Sequence, residues 1–259
     1  MLFRSQLEQD VAAFRAFVAE KAAELRAQPG LEQLTEQHFA ALLVGRWPSG
    51  APLMRTGTAD DPALAEVDVA PNAFQFADPS PAYRLTPGDA DPFPPAPADP
   101  GGLRCPIWSH IRKVNPRDIT TEQGSDSDTL RRRILRRGIP FGDPLDTGGS
   151  DAGRGLLFLS YQTSISDQFE FLASSWMNTP NKPQEDEGDG HDIVVGQNPA
   201  RDEQRVRTAN LRAQGNGTTT THRFTTDTGR QWVVATGGGY FFTPSIPALV
   251  GVIAGRGRE

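Results

Sequence analysis

The chain has 259 residues, 37% of them hydrophobic, with 26 glycines and 22 prolines. That is enough to bury a sizeable core in a globular body with long irregular connections. A net charge of −6 argues against broad binding to nucleic acid or anionic membranes, and a single cysteine, Cys105, excludes an intrachain disulfide and any multi-cysteine metal site.

MLFRSQLEQD lacks the long apolar core of a signal peptide, and no apolar run approaches the ~18 residues that span a bilayer. The expectation is a soluble, cytoplasmic chain without a membrane partner; any export signal would sit in a lost N-terminal segment. Met1 to Arg4 reads as the tail of a strand. From about Gln6 to Ala27, Leu7, Val11, Phe14, Val18 and Leu25 recur at helical spacing, and Pro29-Gly30 stops the run. A shorter helix is predicted over Leu34 to Val44, with Thr35 placed to cap it. Gly45 to Gly50 is a turn-rich break.

Met54 to Leu103 carries ten prolines, eight acidic and two basic residues without sustained periodicity, and reads as a loop. Its stretch Asn72 to Asp78 has two phenylalanines and is expected to dock, whereas Pro92 to Pro100 is expected to be mobile. Ile107 to Val114 reads as a strand ended by Asn115-Pro116, and Ile139 to Gly142 as a strand end and turn. Gly155 to Gln162 is a short apolar run typical of a buried strand. Phe169, Leu172 and Trp176 predict an amphipathic helix over Asp167 to Met177. Two further short strands are predicted over Trp232 to Ala235 and Tyr240 to Thr243. Strands and helices mixed without regular βαβ repetition argue for an α+β fold. The predicted divisions are 1–53, 54–103 and 104–259.

The chemistry concentrates between Arg104 and Gly142, in HIRKVNPR and the arginine-rich RRRILRRG. By residue pattern alone, a lone histidine in an apolar run is a packed core residue. A neutral imidazole is also a good ligand for haem iron, with a thiolate such as Cys105 as the local rival. Five arginines between Arg131 and Arg137 cannot all enter one pocket, so several are expected to be solvated, Arg132 among them. The acidic run ending at Asp192 does not have the spacing of an EF-hand loop.

HIRKVNPR, ILRRGIPFG, GLLFLSYQ and GGGYFFTPS, in that order, resemble the second half of a dye-decolourising (DyP-type) haem peroxidase, and the likeness runs from near residue 1 to about residue 250. The resemblance implies a ferredoxin-like antiparallel sheet with helices on one face. It implies haem b, bound without covalent attachment because C-x-x-C-H is absent, with His110 as the iron ligand and Asp192 as the acceptor for its other N–H. It further implies Arg117 as partner for a haem propionate, Arg136 as the arginine that stabilises peroxide charge, and Leu156 and Phe158 as the apolar lining beside it. Hydrogen peroxide and small organic reductants are the implied substrates. An N-terminal half or a second copy is the implied protein partner, and nucleic acid is not one. One family motif is missing: no G-x-x-D-G, whose aspartate serves as the acid–base group, occurs in the 259 residues. Asp78 and Asp146 are the first carboxylates to test in its place. A haem-binding protein or a truncated half-enzyme, with little peroxidase activity for want of that motif's aspartate, is the alternative reading.

Overall fold

The structure is a computed structural model that describes residues 1–79, 93–145, 153–184, 190–197, 206–215, 217–226 and 231–253. Asp146, the acidic run 185–189 and the start of the segment expected to be mobile lie outside these residues.

The chain opens with a strand, β1 (Leu2–Gln9), and Asp10 ends it by accepting the Ala13 N–H at the start of α1 (Val11–Arg26). Leu7 therefore belongs to a strand and not to the predicted helix. Its spacing to Val11 is helical, but Phe3, Ser5 and Leu7 alternate along one face of β1, and the aspartate cap fixes the boundary at residue 10. Helix α2 (Glu36–Val44) starts where its cap predicts, with Thr35 Oγ1 accepting the His38 N–H, and ends at Gly45 with φ +94°. Four short helices follow: α3 (Leu53–Thr56), α4 (Pro62–Glu66), α5 (His110–Val114) and α6 (Asp126–Leu130).

The prediction of a strand over Ile107 to Val114 is corrected by α5. Ser109 occupies the cap position, its carbonyl accepts from Arg112 and Lys113, and its hydroxyl donates to the Leu42 carbonyl at the end of α2. Arg112 and Lys113 are almost wholly buried, so their charges need acceptors on two sides, which a one-faced strand would not provide.

Strands β2 (Leu135–Phe141), β3 (Gly155–Tyr161), β1 and β6 (Val233–Phe241) form one antiparallel sheet in that order. β1 and β2 flank β3, the split order of a ferredoxin-like layer. β2 starts four residues before the predicted strand end, and β6 replaces the two predicted strands with one. The glycines Gly237 to Gly239 lie within β6 because Gly238 passes close to the β1 backbone; a Cβ there would stand 2.7 Å from the Arg4 carbonyl oxygen. A separate hairpin, β4 (Thr208–Gly215) with β5 (Thr218–Thr225), carries Leu211 and Phe224 into the core.

That core joins segments far apart in sequence. Phe17 and Phe39 from α1 and α2, Trp108, Phe224 and Trp232 form a chain of ring contacts at 4.6–6.2 Å. The segment Asn72 to Asp78 docks as its aromatics predict. Phe74 and Phe76 are fully buried, and Asp118 accepts the N–H groups of Phe76, Ala77 and Asp78. Among the described residues no helix is long and apolar enough to cross a membrane.

Candidate functional site

His110 is the first residue of α5, presented by the Cys105–Ser109 turn. That turn is shaped by Asp99, whose carboxylate accepts the N–H groups of Leu103, Arg104 and Cys105. Arg112 locks it from beneath, donating to the carbonyls of Asp99, Pro100 and Cys105 with its guanidinium 4.5 Å from the Phe76 ring centre. Cys105 itself is wholly buried, and burial pushes its thiol up to about 11. The thiol is thus enclosed while the His110 imidazole is partly exposed, so it is the imidazole that a ligand can reach.

His110 Nδ1 lies 2.7 Å from Asp192 Oδ2. Asp192 is fully buried and sits in a turn where its other oxygen accepts the N–H groups of Val194 and Val195 at 3.0 and 3.1 Å. Burial pushes its pKa up, but the charge and hydrogen bond of His110, the Val195 N–H and the charge of Lys113 outweigh it and hold the carboxyl below its ordinary value. An ionised carboxylate only accepts, so Nδ1 carries the proton and Nε2 is the basic nitrogen. The imidazole side chain is 25% exposed, and Nε2 makes no hydrogen bond among the described residues.

Arg136, Leu156 and Phe158 come together on the sheet. Register puts Arg136 opposite Ser160, Gly138 opposite Phe158, and Pro140 opposite Leu156. Side chains two residues apart share a face, so Arg136, Leu156, Phe158 and Ser160 stand on one face with Phe3, Ser5 and Leu7 of β1. Phe169, from the π-helical turn Ile165–Glu170, packs on Phe3 with tilted rings whose centres are 3.8 Å apart. The following turn, Leu172–Trp176, leads to Met177, whose carbonyl accepts the Asp192 N–H. The helix predicted over Asp167 to Met177 is thus two wide turns that touch both the sheet face and the Asp192 turn.

Arg117 has φ +57° and sits against the docked segment. It donates to the carbonyls of Asn72 and Phe74 and lies 3.6 Å from the Phe74 ring centre. Arg132 corrects the expectation of a solvated side chain. It donates to the Asp167 carbonyl and Gln123 Oε1 and packs over Phe171 at 4.2 Å. Arg131, Arg133, Arg136 and Arg137 are exposed, Arg131 most clearly at 79%.

Three residues escaped the sequence reading. Arg46 donates to the carbonyls of Gly50 and Pro71 and to Asn72 Oδ1; burial, then the charge of Arg136, lowers its pKa, and Cys105 opposes them. It therefore lies within electrostatic reach of both the β2 arginine and the turn before His110. Lys113 and Ser160 are the others. Lys113 could have been found from its place three residues after His110 once that stretch was read as a helix. Ser160 carried no signal beyond alternation along β3.

The geometry fits a haem. Among the described residues no group of three or more His, Cys, Asp or Glu side chains could hold a metal ion. A single imidazole with one nitrogen anchored suits a metal whose remaining ligands belong to its own macrocycle. On the sheet face, the buried Ser160 hydroxyl, opposite Arg136, has no hydrogen-bond partner among the described residues.

Comparison with known proteins agrees. Residues 98–187 match the family model of the Dyp-type peroxidase, C-terminal. The chain is 32% identical over 266 residues to a dye-decolorizing peroxidase of Exidia glandulosa, covering 96% of this chain and 44% of the relative. It is 32% identical over 263 residues to the dye-decolorizing peroxidase AauDyP1 of Auricularia auricula-judae, covering 95% of this chain and 45% of that one. The solved structure of an ancestral D-type dye decolorizing peroxidase superposes with a TM-score of 0.68 at 32% identity, over 97% of this chain and 51% of the other. The chain thus spans less than half the length of the curated relatives it matches. By sequence and by fold it belongs to the DyP-type peroxidases, a family of haem enzymes, as a match to their C-terminal half.

Proposed function

We propose that this chain supplies the haem-binding half of a peroxidase that reduces hydrogen peroxide and oxidises small organic donors, dyes or phenols, by one-electron steps. The observation that carries the reading is the 2.7 Å hydrogen bond from His110 Nδ1 to the buried Asp192 carboxylate, which leaves Nε2 as the nitrogen available to a metal. The bound group is a non-covalent haem b with His110 as its protein ligand; it supplies the redox chemistry when bound.

The remaining work falls to the chain's own side chains. The Asp192 anion draws on the Nδ1 proton and raises the electron density at Nε2. Arg136 offers a fixed positive charge to a peroxide anion, on the same face as Leu156 and Phe158, which keep that face apolar and limit water. Arg117, a planar fork held against Phe74, is the proposed partner for a haem propionate. A guanidinium is always protonated near neutrality, so it cannot accept the peroxide proton. The proposed partner that completes the pocket is an N-terminal half or a second copy of this chain.

The test is a haem titration of the purified chain followed by its Soret absorption. His110→Ala should abolish the ligated spectrum while far-ultraviolet circular dichroism stays as it was. An unchanged haem spectrum in His110→Ala would overturn the assignment.

A further inference from the structure

Lys113 is a wholly enclosed lysine one helical turn after His110, on the same short helix. Its ammonium donates to three backbone carbonyls: Thr179 at 2.9 Å, Lys182 at 2.5 Å and Gly190 at 2.8 Å. An ammonium has three N–H donors, and these three backbone carbonyls match them in number. Two of them precede the acidic run and the third follows it. Gly190 stands two residues before Asp192, and its backbone is pinned on the other side as well. Its N–H donates to the Pro180 carbonyl, and at φ +127° a Cβ would stand 2.3 Å from the Thr208 carbonyl oxygen. His191 then donates its N–H to that same Thr208 carbonyl, and Asp192 donates to Met177.

We infer that Lys113 is a positioning residue for the His110–Asp192 pair, gripping the loop that delivers Asp192. The inference rests on the haem reading above. One helix then carries both the ligand and the clamp that sets its hydrogen-bond acceptor. Any shift of α5 moves His110 and the Gly190–Asp192 loop together, and the 2.7 Å contact is kept across 82 positions of sequence. Lysine suits the task because its compact ammonium carries three donors at one point, where the three carbonyls converge.

The sign of the effect separates a clamp from a charge. As a nearby charge, Lys113 makes the Asp192 carboxylate less basic, so its loss would strengthen the pull on His110. As a clamp, its loss lets Asp192 leave His110 and weakens that pull. The measurement is the iron–histidine stretching frequency of the ferrous haem-loaded chain by resonance Raman, which falls when the proximal imidazole loses an anionic acceptor. Asp192→Asn sets the size of that fall. Lys113→Met should lower the frequency by most of the same amount, and the double variant should show no further fall beyond Asp192→Asn alone. Lys113→Gln, with amide donors in place of the charge, should lie between the parent and Lys113→Met and serves if the methionine variant does not fold. A frequency that stays at the parent value, rises, or falls additively in the double variant overturns the inference. A parent chain without an iron–histidine band would overturn the haem reading itself, a result distinct from any of these.

Discussion

Gly45→Ala should disturb the haem ligand from the far side of α5. Gly45 closes α2 at φ +94°, and the Cβ of an alanine would stand 2.3 Å from Ile111 Cγ1 and 2.7 Å from its Cδ1. Ile111 follows His110 directly. A non-glycine residue held in the left-handed region costs about 1–3 kcal/mol, and overpacking of this kind about 1–3 kcal/mol more. The sum, about 2–6 kcal/mol, is a large part of the stability of a domain. The side chain of Ile111 can turn aside but the backbone of α5 cannot follow, because Ser109 is tied to Leu42 and Lys113 to the far loop. Ile111→Ala removes both clashing carbons. The assay is urea unfolding of Gly45→Ala, Ile111→Ala and the double variant, with haem affinity read in parallel. The double variant should be more stable than the sum of the singles by about 1–3 kcal/mol, the overpacking part, while the backbone part remains. Strict additivity would refute the claim that the two residues meet.

Arg136→Leu should leave stability within about 0.5 kcal/mol, as for an exposed strand position, yet slow the reaction of the haem-loaded chain with peroxide by about 10²–10³-fold. Arg131→Leu, at a side chain 79% exposed, should change neither, and equal effects would mean a general basic patch. Arg112→Met should cost about 3–5 kcal/mol in urea unfolding, because it leaves the enclosed Asp99 carboxylate without its guanidinium; a loss below about 1 kcal/mol would contradict that. Burial, then the charge of Lys113, hold the His191 pKa below its ordinary value, about 6.5. The unfolded chain therefore takes up a proton first as pH falls, so this stability is present above about pH 6.5 and lost below it. His191→Gln should flatten the decline in stability from about pH 7 to pH 5, and a slope identical to the parent's would count against it.

The elements legible in the sequence were those decided by neighbouring residues. Thr35 and Gly45 bracket α2 because a cap and a left-handed closure act within one turn. The run at Gly155 is a strand because its apolar residues are short, continuous and bounded. Asn72 to Asp78 docks because two phenylalanines must leave water. Where two periodicities overlapped, as at Leu7, local pattern misled, and pairing of β1 with β3 and β6 decided the state. The ordered motifs carried the family and linked Asp192 with His110, whose hydrogen bond the fold then makes. Hydropathy could not reveal that the stretch Ser109 to Val114 is helical. Its charged Arg112 and Lys113 are buried only because carbonyls from residues 99–105, 179, 182 and 190 converge on them. A buried charge is tolerable only where acceptors enclose it, and those acceptors come from parts of the chain that only tertiary structure brings together.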